Sequence, residues 1–161
     1  MTDAEFMDQA LCLAKQAAQD GEVPVGCVIV CNGQIVGRGR NRREKRRNAL
    51  LHAEIEAIND ACTNLGGWRL WECTLYVTLE PCPMCAGAII NARIPRVVFG
   101  ARDEKYGACG SVCNLMDMGF NHHPVMEAGV GQEEAVALLQ DFFQDLRVQL
   151  RSRPKWKKGQ K

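Results

Sequence analysis

Two short stretches limit what this chain can be: His52-Ala53-Glu54 and Pro81-Cys82-Pro83-Met84-Cys85. Imidazole and thiolate are ligands for zinc. Cys82 and Cys85 are three positions apart, so a helix that starts here puts both sulfurs on one side of its first turn. Pro83 suits that first turn. The unpaired N–H groups and the dipole at a helix start favour thiolate, which helps a thiol give up its proton to a metal. His52 opens an earlier helical stretch. A fold that uses all three must bring two helix N-termini to one edge of a sheet, at the carboxyl ends of the strands, where α/β proteins place their sites.

Three protein ligands leave a tetrahedral zinc one position short, and an open position holding water marks a catalytic site. Zinc lowers the pKa of such a water to about 7. Glu54 is two residues from His52, and two helical steps turn through about 200°. The pair can therefore serve one metal only if it lies off the helix end, with Glu54 beside the water as a proton shuttle and not a ligand. Two other arrangements fit part of the pattern. A closed structural site would recruit a fourth ligand such as Cys31, and Cys-X-X-Cys alone also suits a thioredoxin-like redox pair. Neither gives Glu54 a task. Cys109 and Cys113 lie in a Gly-rich stretch with no neighbouring His and read as plain loop cysteines. Cys12, Cys27, Cys31, Cys62 and Cys73 sit in apolar runs and read as small buried hydrophobes.

The rest of the chain supplies a scaffold of the required kind. Asp3 to Asp20 repeats Phe6, Ala10, Leu13, Ala14 and Ala17 at helical spacing, with Thr2 or Asp3 to cap it and Gly21 to end it. Val25 to Cys31, Asn32-Gly33 and Gln34 to Gly39 predict a hairpin. His52 to Cys62 predicts a helix ended at Gly66-Gly67, Cys73 to Leu79 a strand, Pro83 to Ala92 a short helix, and Arg96 to Ala101 a strand buried on both faces. Residues 102–124 read as loop, Val125 to Val130 as a fifth strand, and Gln132 to Leu150 as an amphipathic helix. The alternation of helix and strand after the hairpin implies right-handed crossovers. The expected fold is three-layer α/β/α: a mixed, mostly parallel sheet of five strands with helices on both faces. One domain over residues 1–150 is expected, with a basic, disordered tail at 151–161. Hydrophobic residues make up 47% and charged residues 24%, the balance of a soluble globular protein. No apolar run reaches the roughly 20 residues of a membrane span. Asp3, Glu5 and Asp8 leave no basic n-region for a secretory signal. Membrane and secreted classes are set aside, and a cytoplasmic protein is expected.

The net charge of +1 conceals an asymmetry. Seven of the 20 Lys and Arg residues fall in residues 38–47 and seven more in 147–161, on an otherwise acidic body. Two basic blocks suit a polyanionic partner held at one place, and on charge alone equally a solvated loop and a frayed tail.

The chain resembles the zinc-dependent cytidine/deoxycytidylate deaminase superfamily, whose members share His-X-Glu followed by Pro-Cys-X-X-Cys. Within it the chain is similar to the bacterial tRNA-specific adenosine deaminases from about residue 3 to residue 147. The zinc signature alone also fits cytidine, guanine and dCMP deaminases. The narrower likeness rests on Glu22 to Gly26, Asn41, His52 to Ile55, Thr74 to Gly87, Arg93 to Gly107, Asn121-His122 and Phe142-Phe143. The resemblance implies a cytidine deaminase-like fold and one Zn2+ per subunit on His52, Cys82 and Cys85. It implies hydrolytic deamination of adenosine to inosine at the wobble position of the tRNA anticodon, by zinc-activated water with Glu54 as proton shuttle. It further implies that Asn41 hydrogen-bonds the flipped base, that Ala53 offers backbone contacts, and that Val23 and Val25 wall the pocket. Asp103 matches a position that reads the neighbouring nucleotide, and Asn121, His122, Phe143 and Arg147 match positions near the anticodon loop. A homodimer with its site near the interface is implied as well. Helix core is the plainer role for at least one of Phe142 and Phe143. The segment after them, Gln144-Asp145-Leu146-Arg147, is less basic than in the family, and the loop before His52 is richer in Arg.

Overall fold

In the computed structural model, which describes residues 1–152, the hairpin joins β1 (Gly26–Cys31) to β2 (Gln34–Arg40) through Asn32 and Gly33. Both turn residues have positive φ, 50° and 76°. That is the mirror-image turn whose twist matches two antiparallel strands. β3 (Cys73–Leu79) lies on the other side of β1 and is antiparallel to it; β4 (Arg96–Ala101) and β5 (Val125–Ala128) follow β3 in parallel. The sheet order is β2-β1-β3-β4-β5, five strands in a mixed sheet.

The strand period sorts the core. Val28, Val30, Tyr76 and Val98 face α1 (Asp3–Gln19) and α5 (Gln132–Ser152). Cys27, Ile29, Leu75, Val77, Val97 and Phe99 face α3 (Ala53–Leu65) and α4 (Pro83–Asn91). Successive strand residues point to opposite faces, so unbroken apolar strands need helices on both, and the layers are α/β/α. At the start of α1, the Thr2 hydroxyl accepts from the Glu5 N–H while the Glu5 carboxylate takes the Thr2 N–H. This reciprocal cap fixes the helix start.

Some expectations change. The Arg-rich block is not plain loop: Arg43–Arg46 form the one-turn helix α2. Its sequence has no apolar period, and the turn is held from outside by Glu22. Residues 102–124 contain a 3-10 turn at Leu115–Asp117 and a bridge between Cys109 and Asn114. β5 stops at Ala128, and α5 runs on to Ser152, so Arg151 and Ser152 belong to the helix. The remainder of the tail expected at 151–161 lies outside the described residues. Cys12 is exposed because it falls on the outer side of α1, opposite Ala10, Leu11 and Ala14.

Candidate active site

His52 and Cys82 are not inside their helices. Each is the N-cap, in extended backbone, of α3 and α4 respectively, and Pro83 starts the first turn of α4. Both helix starts lie beside the carboxyl end of β3. Neither cap side chain is used to satisfy its helix. His52 Nδ1 stands 3.6 Å from Cys82 Sγ and 3.6 Å from Cys85 Sγ. The three ligand atoms lie within 4.8 Å of one another. Donors at about 2.0–2.1 Å (N) and 2.3 Å (S) from one tetrahedral ion stand about 3.6 Å apart. The observed separations match, so these residues fit zinc. Cys31, Cys109 and Cys113 are not in the group.

The electrostatics single out Cys82 as the ligand already poised as thiolate, while Cys85 and His52 hold protons that a metal would displace. A hydrogen bond from the Cys85 thiol, with help from His52, holds the Cys82 thiol down to about 4 despite its burial. The Cys85 thiol is pushed up, chiefly by its role as donor to Cys82 and by burial. His52 is raised by its bond to Cys82. Glu54, 3% exposed, is raised by burial and sits within hydrogen-bonding reach of Cys85. A buried carboxyl with a raised pKa can hold a proton and release it.

His52, Glu54 and Cys82 floor a cleft of about 1410 Å³, and Cys85 is fully buried. One wall comes from Val23, Val25 and Asn41. Asn41 is buried, with its amide nitrogen donating to the Val23 carbonyl at 3.4 Å and its amide oxygen accepting from the Arg43 N–H at 3.3 Å. One N–H and one lone pair remain for another partner. Ala53, fully buried, is the first helical residue of α3, where backbone N–H groups lack intrahelical acceptors. The opposite wall is the segment Arg102 to Tyr106, which includes Asp103. α5 closes the third side with Leu139, Phe143, Arg147 and Leu150, which share one helical face. Phe143 is 41% exposed and meets Phe142, half-buried, edge-to-face at 5.4 Å between ring centroids.

Asn121 and His122 lie elsewhere. The His122 ring bonds the Ile94 carbonyl, before β4, and Asn121 adjoins it. That is the far end of β4 from the cleft, about 20 Å away along six residues of strand. They are not among the cleft residues of their own chain.

Two buried carboxylates lie within the stretches that carry the resemblance, but the sequence assigns neither of them a task. Glu22, 1% exposed, accepts the Glu44 and Lys45 N–H groups at 2.9 and 3.1 Å and so caps α2. Glu80, 2% exposed, is bonded throughout by residues 103–111. The one signal for Glu80 is an acid closing an otherwise apolar strand.

The chain matches the profile of the MafB19-like deaminase family over residues 1–147. It is 48% identical over 146 residues to the tRNA-specific adenosine deaminase of Bacillus subtilis (strain 168), covering 90% of this chain and 91% of that one. Its fold matches a solved structure from biochemical and structural studies of A-to-I editing by tRNA:A34 deaminases at the wobble position of transfer RNA. The TM-score is 0.82 and the identity 41%, over 84% of this chain and 99% of the other. It also matches a guanine deaminase from Nitrosomonas europaea with a TM-score of 0.76 at 26% identity, over 86% and 83% of the two chains.

Proposed function

The chain belongs to the tRNA-specific adenosine deaminases, within the MafB19-like deaminase family, and from that premise we propose that it converts the wobble adenosine of a tRNA anticodon to inosine. The observation that carries this reading is the joint presence of a His-Cys-Cys group, a buried Glu54 and a cleft larger than the roughly 300–1,000 Å³ of a small-molecule pocket. A single free base would leave most of that cleft unused.

His52, Cys82 and Cys85 would hold a zinc ion, which supplies the Lewis acidity that makes water a nucleophile near neutral pH. The adenosine must leave the anticodon stack to reach the floor of the cleft. Asn41 then presents its free N–H and oxygen lone pair to the base edge, and the N–H groups at the start of α3 offer further donors. Val23 and Val25 pack on the base and exclude water. Glu54 accepts a proton from the attacking water and passes it to the ring nitrogen, then takes the second proton from the hydroxyl now on the purine carbon and passes it to the departing amine. Adenosine and water thus give inosine and ammonia.

The rim suits RNA. Among the described residues, Arg43, Arg102, Lys105 and Arg147 line the cleft without ion-pair partners, and cations at the mouth attract phosphates. Tyr106 and Phe143, both exposed, can stack on unpaired bases. Asn121 and His122 would touch RNA only beyond their own chain's cleft or from a second subunit. A homodimer is supported by an apolar groove between α3 and α4, where Ile55, Ile58 and Ala88 adjoin Trp68, itself 51% exposed. Among the described residues no helix is long and apolar enough to cross a membrane, and a tRNA substrate supports a cytoplasmic location.

The test is to incubate the protein with tRNA, free adenosine, guanine and cytidine, and to analyse digested RNA for inosine. Inosine at the anticodon and no turnover of free bases is expected. Turnover of guanine with none of tRNA would overturn the reading.

A further inference from the structure

Glu80 stands between the last residue of β3 and Pro81-Cys82 and touches the cleft, yet the residue is 2% exposed. Burying a charge is costly unless its lone pairs are filled. Here they are filled by one segment: Oε1 accepts from the Asp103 N–H at 3.2 Å and from the Ser111 hydroxyl, and Oε2 accepts from the Cys109 and Ser111 N–H groups, both at 3.1 Å. Gly107 is pressed against the carboxylate, and a Cβ there would lie 2.1 Å from Oε2. The Ala108 N–H adds a bond to the Pro81 carbonyl at 2.9 Å. With its acceptor sites taken up, the carboxylate has little left to offer a substrate. What it fixes is the stretch Arg102 to Tyr106, which forms one wall of the cleft.

We propose that Glu80 is a positioning residue: its buried carboxylate folds residues 103–111 into the wall that grips RNA around the reacting base, and it takes no part in the chemistry at Glu54. The inference rests on the deaminase reading and deepens it. Productive binding of an RNA needs a wall already in place, because ordering a loop at the moment of binding costs affinity. Glu80→Gln keeps size but turns an NH2 group toward backbone N–H donors. Loss of charged hydrogen bonds of this kind corresponds to roughly a ten- to hundredfold weakening, and it should appear in KM.

The experiment uses the full-length zinc-loaded protein, Glu80→Gln and the milder Ser111→Ala. It measures kcat and KM on an anticodon stem-loop RNA, zinc per chain, and inhibition by purine riboside, a probe that reaches only the floor of the cleft. For Glu80→Gln, KM should rise at least roughly tenfold while kcat and the purine riboside inhibition constant stay within about threefold. Zinc should stay at about one per chain. Ser111→Ala should move KM the same way by about two- to fivefold. The proposal is overturned if KM does not move, if kcat falls as far as kcat/KM, or if zinc or purine riboside binding is lost in step. Failure of the unaltered protein to deaminate the stem-loop would strike the deaminase reading itself, a separate result.

Discussion

Gly39→Ala should disable the site from outside it. α3 lies on β2 backbone to backbone. A Cβ at Gly39 would stand 2.1 Å from the Ala53 carbonyl oxygen and 2.6 Å from the Ala57 nitrogen; at Gly37 it would stand 2.4 Å from the Ala57 carbonyl oxygen. Neither backbone can rotate away as a side chain could. To recover ordinary contact at 3.4 Å, the first turn of α3 must retreat by about 1 Å. Ala53 lies between His52 and Glu54, so the retreat passes straight to both. Cys82 and Cys85 ride on β3 and α4 and do not follow. The 3.6 Å spacing between the imidazole and both sulfurs is then lost. Overpacking of this kind costs about 1–3 kcal/mol of stability. A misplacement near 1 Å costs about a hundredfold in rate. The assay is urea denaturation, zinc content and single-turnover deamination of RNA for Gly39→Ala, with Gly67→Ala as control, since a Cβ at Gly67 meets nothing within 4 Å. Retention of stability within about 0.5 kcal/mol, with the rate within about threefold, would refute the claim that close packing at Gly39 sets the site.

Glu54→Gln should keep zinc and RNA binding and lose deamination by about 10²- to 10⁴-fold, as removal of a general acid–base demands; metal analysis with a turnover assay checks it, and near-normal turnover would remove Glu54 from the proton path. His52→Ala and Cys82→Ala should lose zinc and activity together, whereas Cys109→Ala and Cys113→Ala should keep about one zinc per chain. Metal loss from Cys113→Ala would relocate the site. Among the described residues Arg43, Arg46 and Arg47 make no ion pair, so replacing all three by Gln should weaken tRNA binding and flatten its salt dependence by about 0.7–0.9 in log–log slope for each phosphate no longer neutralised. Titration at several salt concentrations decides, and an unchanged slope would make α2 a solvated turn.

The sheet, its helices and the His-Cys-Cys group are legible in the sequence because each is encoded locally. The apolar strands repeat with period two, the helices with their own period, and the ligands cluster at two helix starts. What is illegible depends on contacts between distant residues. α2 has no apolar stripe and exists because Glu22 caps it from 22 and 23 residues away. Glu80 finds its donors 23 to 31 residues later. Cys12 reads as buried from its apolar neighbours, but its position around the helix puts it outside. Asn121 and His122 precede β5, whose parallel pairing with β4 puts them at the far end of the sheet; the sequence carries the strand but not its partner.

Glu22 and Glu80 do parallel work. Each is a buried carboxylate whose hydrogen bonds come from its own lip of the cleft, α2 in one case and residues 103–111 in the other. α2 has no buried residue with which to pack itself in place, and residues 103–111 send only Ala108 and Cys109 into the core. A carboxylate beneath the lip solves this: it orders backbone N–H groups from below and leaves the upper side chains free to face the substrate. The floor is built by other means, with helix starts on a rigid sheet holding His52, Glu54, Cys82 and Cys85. Chemistry and recognition therefore rest on separate supports. Changes beneath the lips should appear in KM and in substrate preference, and changes beneath α3 or α4 in kcat and in zinc. Substitutions in the lips should accordingly leave the centre they surround undisturbed.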